Sequence, residues 1–140
     1  MIYVDTNVLI AYINPRDELH GRASTLLTEY DYEELIISQL VVLELYTVFS
    51  RVMNISNAEL EALVNYTIKK SNTKLIPIEW EALYSEAINY ANKLKLRTPD
   101  LMHVVSAYIL RTKAIMTFDK DIISKRSLIN DLLNIEIIYQ

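Results

Sequence analysis

Short apolar runs alternate along the chain with longer stretches in which apolar residues recur every three or four positions. Ile2-Tyr3-Val4 is the first run and ends at Asp5; the apolar residues from Val8 to Ile13 then continue with helical character until Asn14-Pro15 breaks them. Leu19, Ala23, Leu26, Leu27 and Tyr30 share a helical face and predict a helix over 16–30. Leu35-Ile36-Ile37 is short, branched and flanked by polar residues, the signature of a buried strand. A helix over 39–53 follows, with Val41, Val42, Leu45, Val48, Phe49 and Val52 as its stripe. Ser56 and Glu59 stand at capping-box spacing before a helix that ends near Lys69-Lys70.

Leu75-Ile76-Pro77-Ile78 predicts a third strand, with the proline marking an edge or a stop. Leu83, Ala87, Tyr90, Ala91 and Leu94 line one side of a helix over 79–94. Thr98-Pro99-Asp100 starts another, with Thr98 expected as N-cap and Pro99 at the first helical position. Residues 114–118 and 133–139 read as the fourth and fifth strands. Strands separated by helices imply right-handed crossovers and a parallel sheet covered on both faces. No repeat, low-complexity stretch or linker interrupts the 140 residues, so 1–140 is expected to form one α/β domain.

Composition narrows the chemistry. Zero cysteines exclude disulfides, thiolate nucleophiles and sulfur-bound zinc. The single glycine, Gly21, excludes glycine-rich phosphate cradles, and two histidines cannot form a three-histidine metal centre. A net charge of −4 argues against a broadly basic nucleic-acid surface, although bound divalent cations invert the charge of an acidic site. No segment reaches the ~20 apolar residues of a membrane helix. The apolar N-terminus lacks a preceding basic residue and is interrupted by Asp5, so a cytoplasmic, non-membrane protein is expected.

The acids are placed unevenly. Asp5 is alone among residues 1–14, Glu44 among 35–57 and Asp100 among 97–118, while Asp119 directly follows the fourth strand. An isolated ionised carboxylate is costly in such apolar stretches. In an open parallel sheet, ligands bind beyond the carboxyl ends of the strands. Asp5, Asp100 and Asp119 all belong to that rim, and Glu44 lies on a flank of its helix able to face it. Four acids gathered there repel one another and raise each other's proton affinity, and two divalent cations match their charge.

At this point the motifs resemble those of a known family. Val4-Asp5-Thr6-Asn7-Val8-Leu9-Ile10 is similar to the opening of PIN-domain ribonucleases, including VapC-type toxins, and Leu43-Glu44-Leu45 resembles their second acidic motif. Pro99-Asp100-Leu101-Met102-His103-Val104-Val105-Ser106-Ala107 resembles the third, and Met116-Thr117-Phe118-Asp119-Lys120-Asp121 the fourth. The resemblance runs in order through the chain. It implies a three-layer fold with a five-stranded parallel sheet in the order 3-2-1-4-5, flanked by helices. It also implies Mg²⁺- or Mn²⁺-dependent cleavage of RNA, a homodimer and, for a toxin, a small antitoxin partner. Asp5, Glu44, Asp100 and Asp119 are then the catalytic, metal-binding acids, serving one ion or two. Asp121 is a second candidate for the fourth acid, or else an outer-sphere helper or a helix cap.

Around this set, Thr6, Asn7 and Thr117 are expected to support the carboxylates, and Arg51 and Lys120 to contact phosphate. His103, one turn beyond Asp100, is expected to be partly buried and bonded to a backbone group rather than catalytic. His20 is expected to pack at the start of its helix. Two alternatives remain. A haloacid-dehalogenase-type phosphatase also carries an aspartate at its first strand end, but needs a second two residues on, where Asn7 stands. An inactive PIN-like scaffold would be marked by a lost carboxylate, and all four are present.

Overall fold

A computed structural model describes all residues, Met1–Gln140. Strands β1 (Ile2–Val4), β2 (Leu35–Ile37), β3 (Lys74–Leu75), β4 (Ala114–Met116) and β5 (Glu136–Ile138) form one sheet. Its order is β3-β2-β1-β4-β5, and every neighbouring pair is parallel, as the resemblance implied. β1 occupies the centre and all three of its residues are fully buried, which is why it reads as an unbroken apolar run rather than an alternating one. The helices are α1 (Thr6–Ile13), α2 (His20–Glu29), α3 (Gln39–Val52), α4 (Asn57–Lys70), α5 (Trp80–Leu94), α6 (Thr98–Ile109), α7 (Lys120–Ser124) and α8 (Arg126–Leu133). α1 packs on α2, α3 and α4, while α5 packs on α6. None is long and apolar enough to cross a membrane.

Several boundaries differ from the sequence reading, each for a local reason. Asn14 and Asp17 use their side chains to accept from the amides of Arg16 and Leu19, which holds that segment in turns and delays α2 to His20. The capping box of α4 forms as expected, with both bonds between Ser56 and Glu59 at 3.2 Å. Thr98 is the first residue of α6 rather than its cap; Arg97 holds the cap position without a side-chain bond.

β3 ends at Leu75 instead of running to Ile78. Ile76 still donates to the Ile37 carbonyl at 2.9 Å, but Pro77 has no N–H to extend the ladder. Beyond it the Gln39 side chain acts as a substitute strand, accepting from the Ile78 amide at 2.8 Å and donating to its carbonyl. β4 also stops early, since the amide of Phe118 turns to the Asn7 side chain at 3.1 Å. α7 and α8 fill the crossover between β4 and β5, where the sequence pattern predicts no element. What matters for the site is that β1, β2 and β4 end side by side, at Asp5, Ser38 and Thr117.

Candidate functional site

An open cleft of about 340 Å³ lies beyond those strand ends. Asp5, Glu44, Asp100 and Asp119 all line it, together with Thr6, Asn7, His103 and Asp17. The four acids come from the β1–α1 junction, α3, α6 and the β4–α7 junction, so the fold gathers them from across the chain.

Asp5 occupies the N-cap position of α1, yet its side chain makes no capping bond. Oδ2 instead accepts from the Thr117 hydroxyl at 2.6 Å, with the residue only 4% exposed. The Asp5 side chain therefore does not serve as a helix cap. Glu44 accepts at Oε1 from Thr6 at 2.7 Å, and from His103 at the same oxygen. Burial pushes the Glu44 carboxyl up, but the bonds and charge from His103 and the bond from Thr6 outweigh it and hold the carboxyl low overall. Asn7 accepts from the Phe118 amide and donates to Thr117 at 3.4 Å. Thr6, Asn7 and Thr117 thus form a second set of bonds holding the acids. With its amide occupied in this way, Asn7 offers no acid for phosphatase chemistry.

Asp119 caps α7, its Oδ1 accepting from the amides of Asp121 at 2.8 Å and Ile122 at 3.1 Å. The cap is thus Asp119, not Asp121 as one reading had it. Asp121 sits exposed in the first turn, outside the lining of the cleft. Its carboxylate nevertheless lies within 4.8 Å of those of Asp100 and Asp119. Asp5, Glu44 and His103 form a second group with the same spacing.

Asp100 accepts no hydrogen bond from the protein, and its carboxyl is pushed up to about 6. Burial contributes most, followed by the negative charges of Asp119, Asp5 and Asp121.

These donors suit a hard divalent cation. Glu44 and Asp119 each have one oxygen anchored by two protein donors, and Asp5 has one anchored by Thr117. Each keeps its other oxygen free of a hydrogen bond, and Asp100 keeps both. Carboxylates fixed in this way, each with an oxygen not used in hydrogen bonding, match the oxygen donors that a hard divalent cation takes.

His103 corrects the sequence reading most clearly. It is 3% exposed and bonds to side chains rather than to backbone: Nδ1 to the Tyr3 hydroxyl at 2.9 Å and Nε2 to Glu44, with Asp5 Oδ1 at 3.4 Å. Burial works against a charged ring, but the Tyr3 oxygen and the carboxylates of Asp5 and Glu44 outweigh it and raise its basicity well above the ordinary imidazole range. The one-turn spacing from Asp100 was the available signal; Tyr3, 100 residues away, was not visible as its partner. His20 bonds the Ala11 carbonyl at 3.1 Å, consistent with packing at the start of its helix. Neither Arg51, in the last turn of α3, nor Lys120, at the start of α7, lines the cleft, whereas Asp17, which belongs to none of the acidic motifs, does.

Over residues 2–127 the sequence matches the PIN domain family, and the chain belongs to that family. Its members are generally metal-dependent nucleases. No curated protein matches the chain in sequence. In structure it is similar to a chain of a toxin–antitoxin complex from Klebsiella pneumoniae, with TM-score 0.70, 18% identity and coverage of 100% of this chain and 99% of that one. VapC20 from Mycobacterium tuberculosis, described as a sarcin–ricin loop cleaving toxin, gives TM-score 0.66 at 16% identity, covering 89% and 94%. FitAcB from Neisseria gonorrhoeae gives 0.66 at 17%, covering 99% and 97%. At these identities the likeness is one of fold.

Proposed function

We propose that this protein is an endoribonuclease dependent on Mg²⁺ or Mn²⁺, hydrolysing RNA phosphodiester bonds as the toxin of a toxin–antitoxin pair in the cytoplasm. The observation carrying this reading is the convergence of Asp5, Glu44, Asp100 and Asp119 on one cleft, with an oxygen of each left free of hydrogen bonds. Those four would hold the cation, with Asp121 beside Asp119 and Asp100. When bound, a divalent cation neutralises charge, polarises a phosphoryl oxygen and makes water acidic enough to attack at neutral pH.

The chain's own residues do the rest. Thr117 and Thr6 fix Asp5 and Glu44, so the carboxylates do not reorganise when substrate arrives. Asn7 ties the β4–α7 turn to α1 and sets the position of Asp119. Lys120, exposed beside Asp119, is the better placed of the two proposed phosphate contacts, because Arg51 lies at the far end of α3.

For the antitoxin, an apolar groove lined by Ile10, Ile13, Val48, Phe49, Val52 and Leu63 adjoins the cleft and shares Ile10 and Val48 with it. Its chemistry suits a segment with an apolar face and a basic side chain directed at the acids. A second copy of the chain suits α5, where Trp80, Tyr84 and Ile88 are exposed at helical spacing. Antiparallel pairing there sets Glu79 and Glu81 of one copy towards Lys93 and Lys95 of the other.

The test is cleavage of a mixed-sequence RNA, and of structured ribosomal RNA, with Mn²⁺. Asp5→Asn should fold as well as the parent and lose activity by orders of magnitude. Folded Asp5→Asn cleaving at the parent rate would refute the proposal.

A further inference from the structure

Four polar side chains form a continuous path from the core to the cleft: Ser38, Tyr3, His103 and Glu44. Ser38 Oγ lies 3.0 Å from the Tyr3 hydroxyl, which lies 2.9 Å from His103 Nδ1, and Nε2 reaches Glu44. Ser38, Tyr3 and His103 are all at most 3% exposed. Tyr3 is in the central strand, where an apolar side chain would fill the space without a polar atom to satisfy. Burying such groups is costly unless they are paired, and here the pairing ends on an acid of the cleft.

We propose that His103 is a positioning residue for the cation site, held by Tyr3 and Ser38 and fixing the Glu44 carboxylate so that Oε2 is left for the cation. The inference rests on the proposed nuclease reading. Two donors, His103 Nε2 and Thr6 Oγ1, both engage Glu44 Oε1, which determines which oxygen is spent. The same imidazole nitrogen lies 3.4 Å from Asp5 Oδ1, so the ring stands between two acids of the cleft.

The bond to Glu44 does not depend on the charge of the ring. With Nε2 donating, a neutral ring leaves Nδ1 to accept from the Tyr3 hydroxyl, which accepts from Ser38. A protonated ring reverses the direction of the last two bonds and leaves the first unchanged. The flanking hydroxyls adapt to either state because each donates or accepts.

Mn²⁺ binding to the full chain, measured by calorimetry alongside a melt of each variant, tests this without reference to turnover. His103→Leu should weaken Mn²⁺ by about tenfold or more, the scale seen when such supporting bonds are removed. His103→Gln returns an N–H near the position of Nε2 and should recover most of that loss. Tyr3→Phe keeps the ring in the core, releases His103 from its anchor and should fall between the two. If His103→Leu fails to fold, Tyr3→Phe decides the matter. Parent-like or tighter Mn²⁺ binding in folded His103→Leu, or parent-like binding in Tyr3→Phe, would overturn the inference. So would His103→Gln as weak as His103→Leu, since the ring itself would then be a ligand. No Mn²⁺ binding by the parent would instead refute the nuclease reading.

Discussion

Replacing Asp100 by asparagine should stabilise the protein when metal is withheld, and only above the acid range. Its carboxyl has been moved from 3.8 to about 6 by burial and the charges of Asp119, Asp5 and Asp121. In isolation that displacement corresponds to about 3 kcal/mol. Asp100 is only half-buried in an open cleft, so solvent screening reduces the figure to about 1 kcal/mol. Between about pH 4 and pH 6 the folded chain holds a proton at Asp100 that the unfolded chain has released. Stability contributed there falls as pH rises, and the full penalty is present above pH 7. Asparagine has the same shape and never ionises. The variant should match the parent near pH 4 and melt about 3 °C higher at pH 8 in EDTA, taking about 2.1 cal/mol/K per residue for the unfolding entropy. Saturating Mn²⁺ should reverse the order, because the parent gains a counter-charge that the variant binds poorly. Equal melts at pH 8, or a gap that does not change with pH, would refute the electrostatic account of the cleft.

Mn²⁺ at a hundredfold excess over Kd should stabilise the parent by about 2.7 kcal/mol, or about 9 °C, and a melt unmoved by millimolar Mn²⁺ would count against any cation site. Asp119→Asn should fold normally, since asparagine is itself a good cap, yet lose Mn²⁺ affinity far more than Asp121→Asn; the opposite order would move the fourth ligand by two residues. Tyr84→Glu should convert a dimer to a monomer in sedimentation at tens of micromolar while leaving the helical circular dichroism of the folded chain unchanged, as Tyr84 is 66% exposed; a parent already monomeric would rule out the α5 pairing.

The architecture was largely legible because a parallel sheet writes its central strands as continuous apolar runs. Ile2-Tyr3-Val4 and Leu35-Ile36-Ile37 are buried on both faces and carry no alternation to confuse. The acids were legible for a related reason: a lone carboxylate in an apolar stretch stands out, and Asp5, Glu44, Asp100 and Asp119 all reach one cleft. Helix pattern identified α3 and α4 because their stripes are long. The region between β4 and β5 was opaque because its helices are short: α7 has 5 residues, and α8, although amphipathic through Leu128, Ile129, Leu132 and Leu133, has only 8, too few turns for a local pattern to fix its bounds.

What tertiary structure alone decided is which group each polar atom meets. Tyr3 carries the local signature of a β-former, and His103 that of an ordinary helix residue; only the fold brings their side chains together, across 100 positions. By sequence Asp119 is preferred to Asp121 only for its place next to the strand; the turn after β4 then puts two amides on Asp119 and leaves Asp121 exposed. The sequence determined which residues carry charge and which strands are buried, because both follow from residue type and local period. The roles of His103, Gln39 and Asp119 depend on hydrogen-bond geometry between segments far apart in the chain, and no local pattern encodes an angle or a distance across a fold.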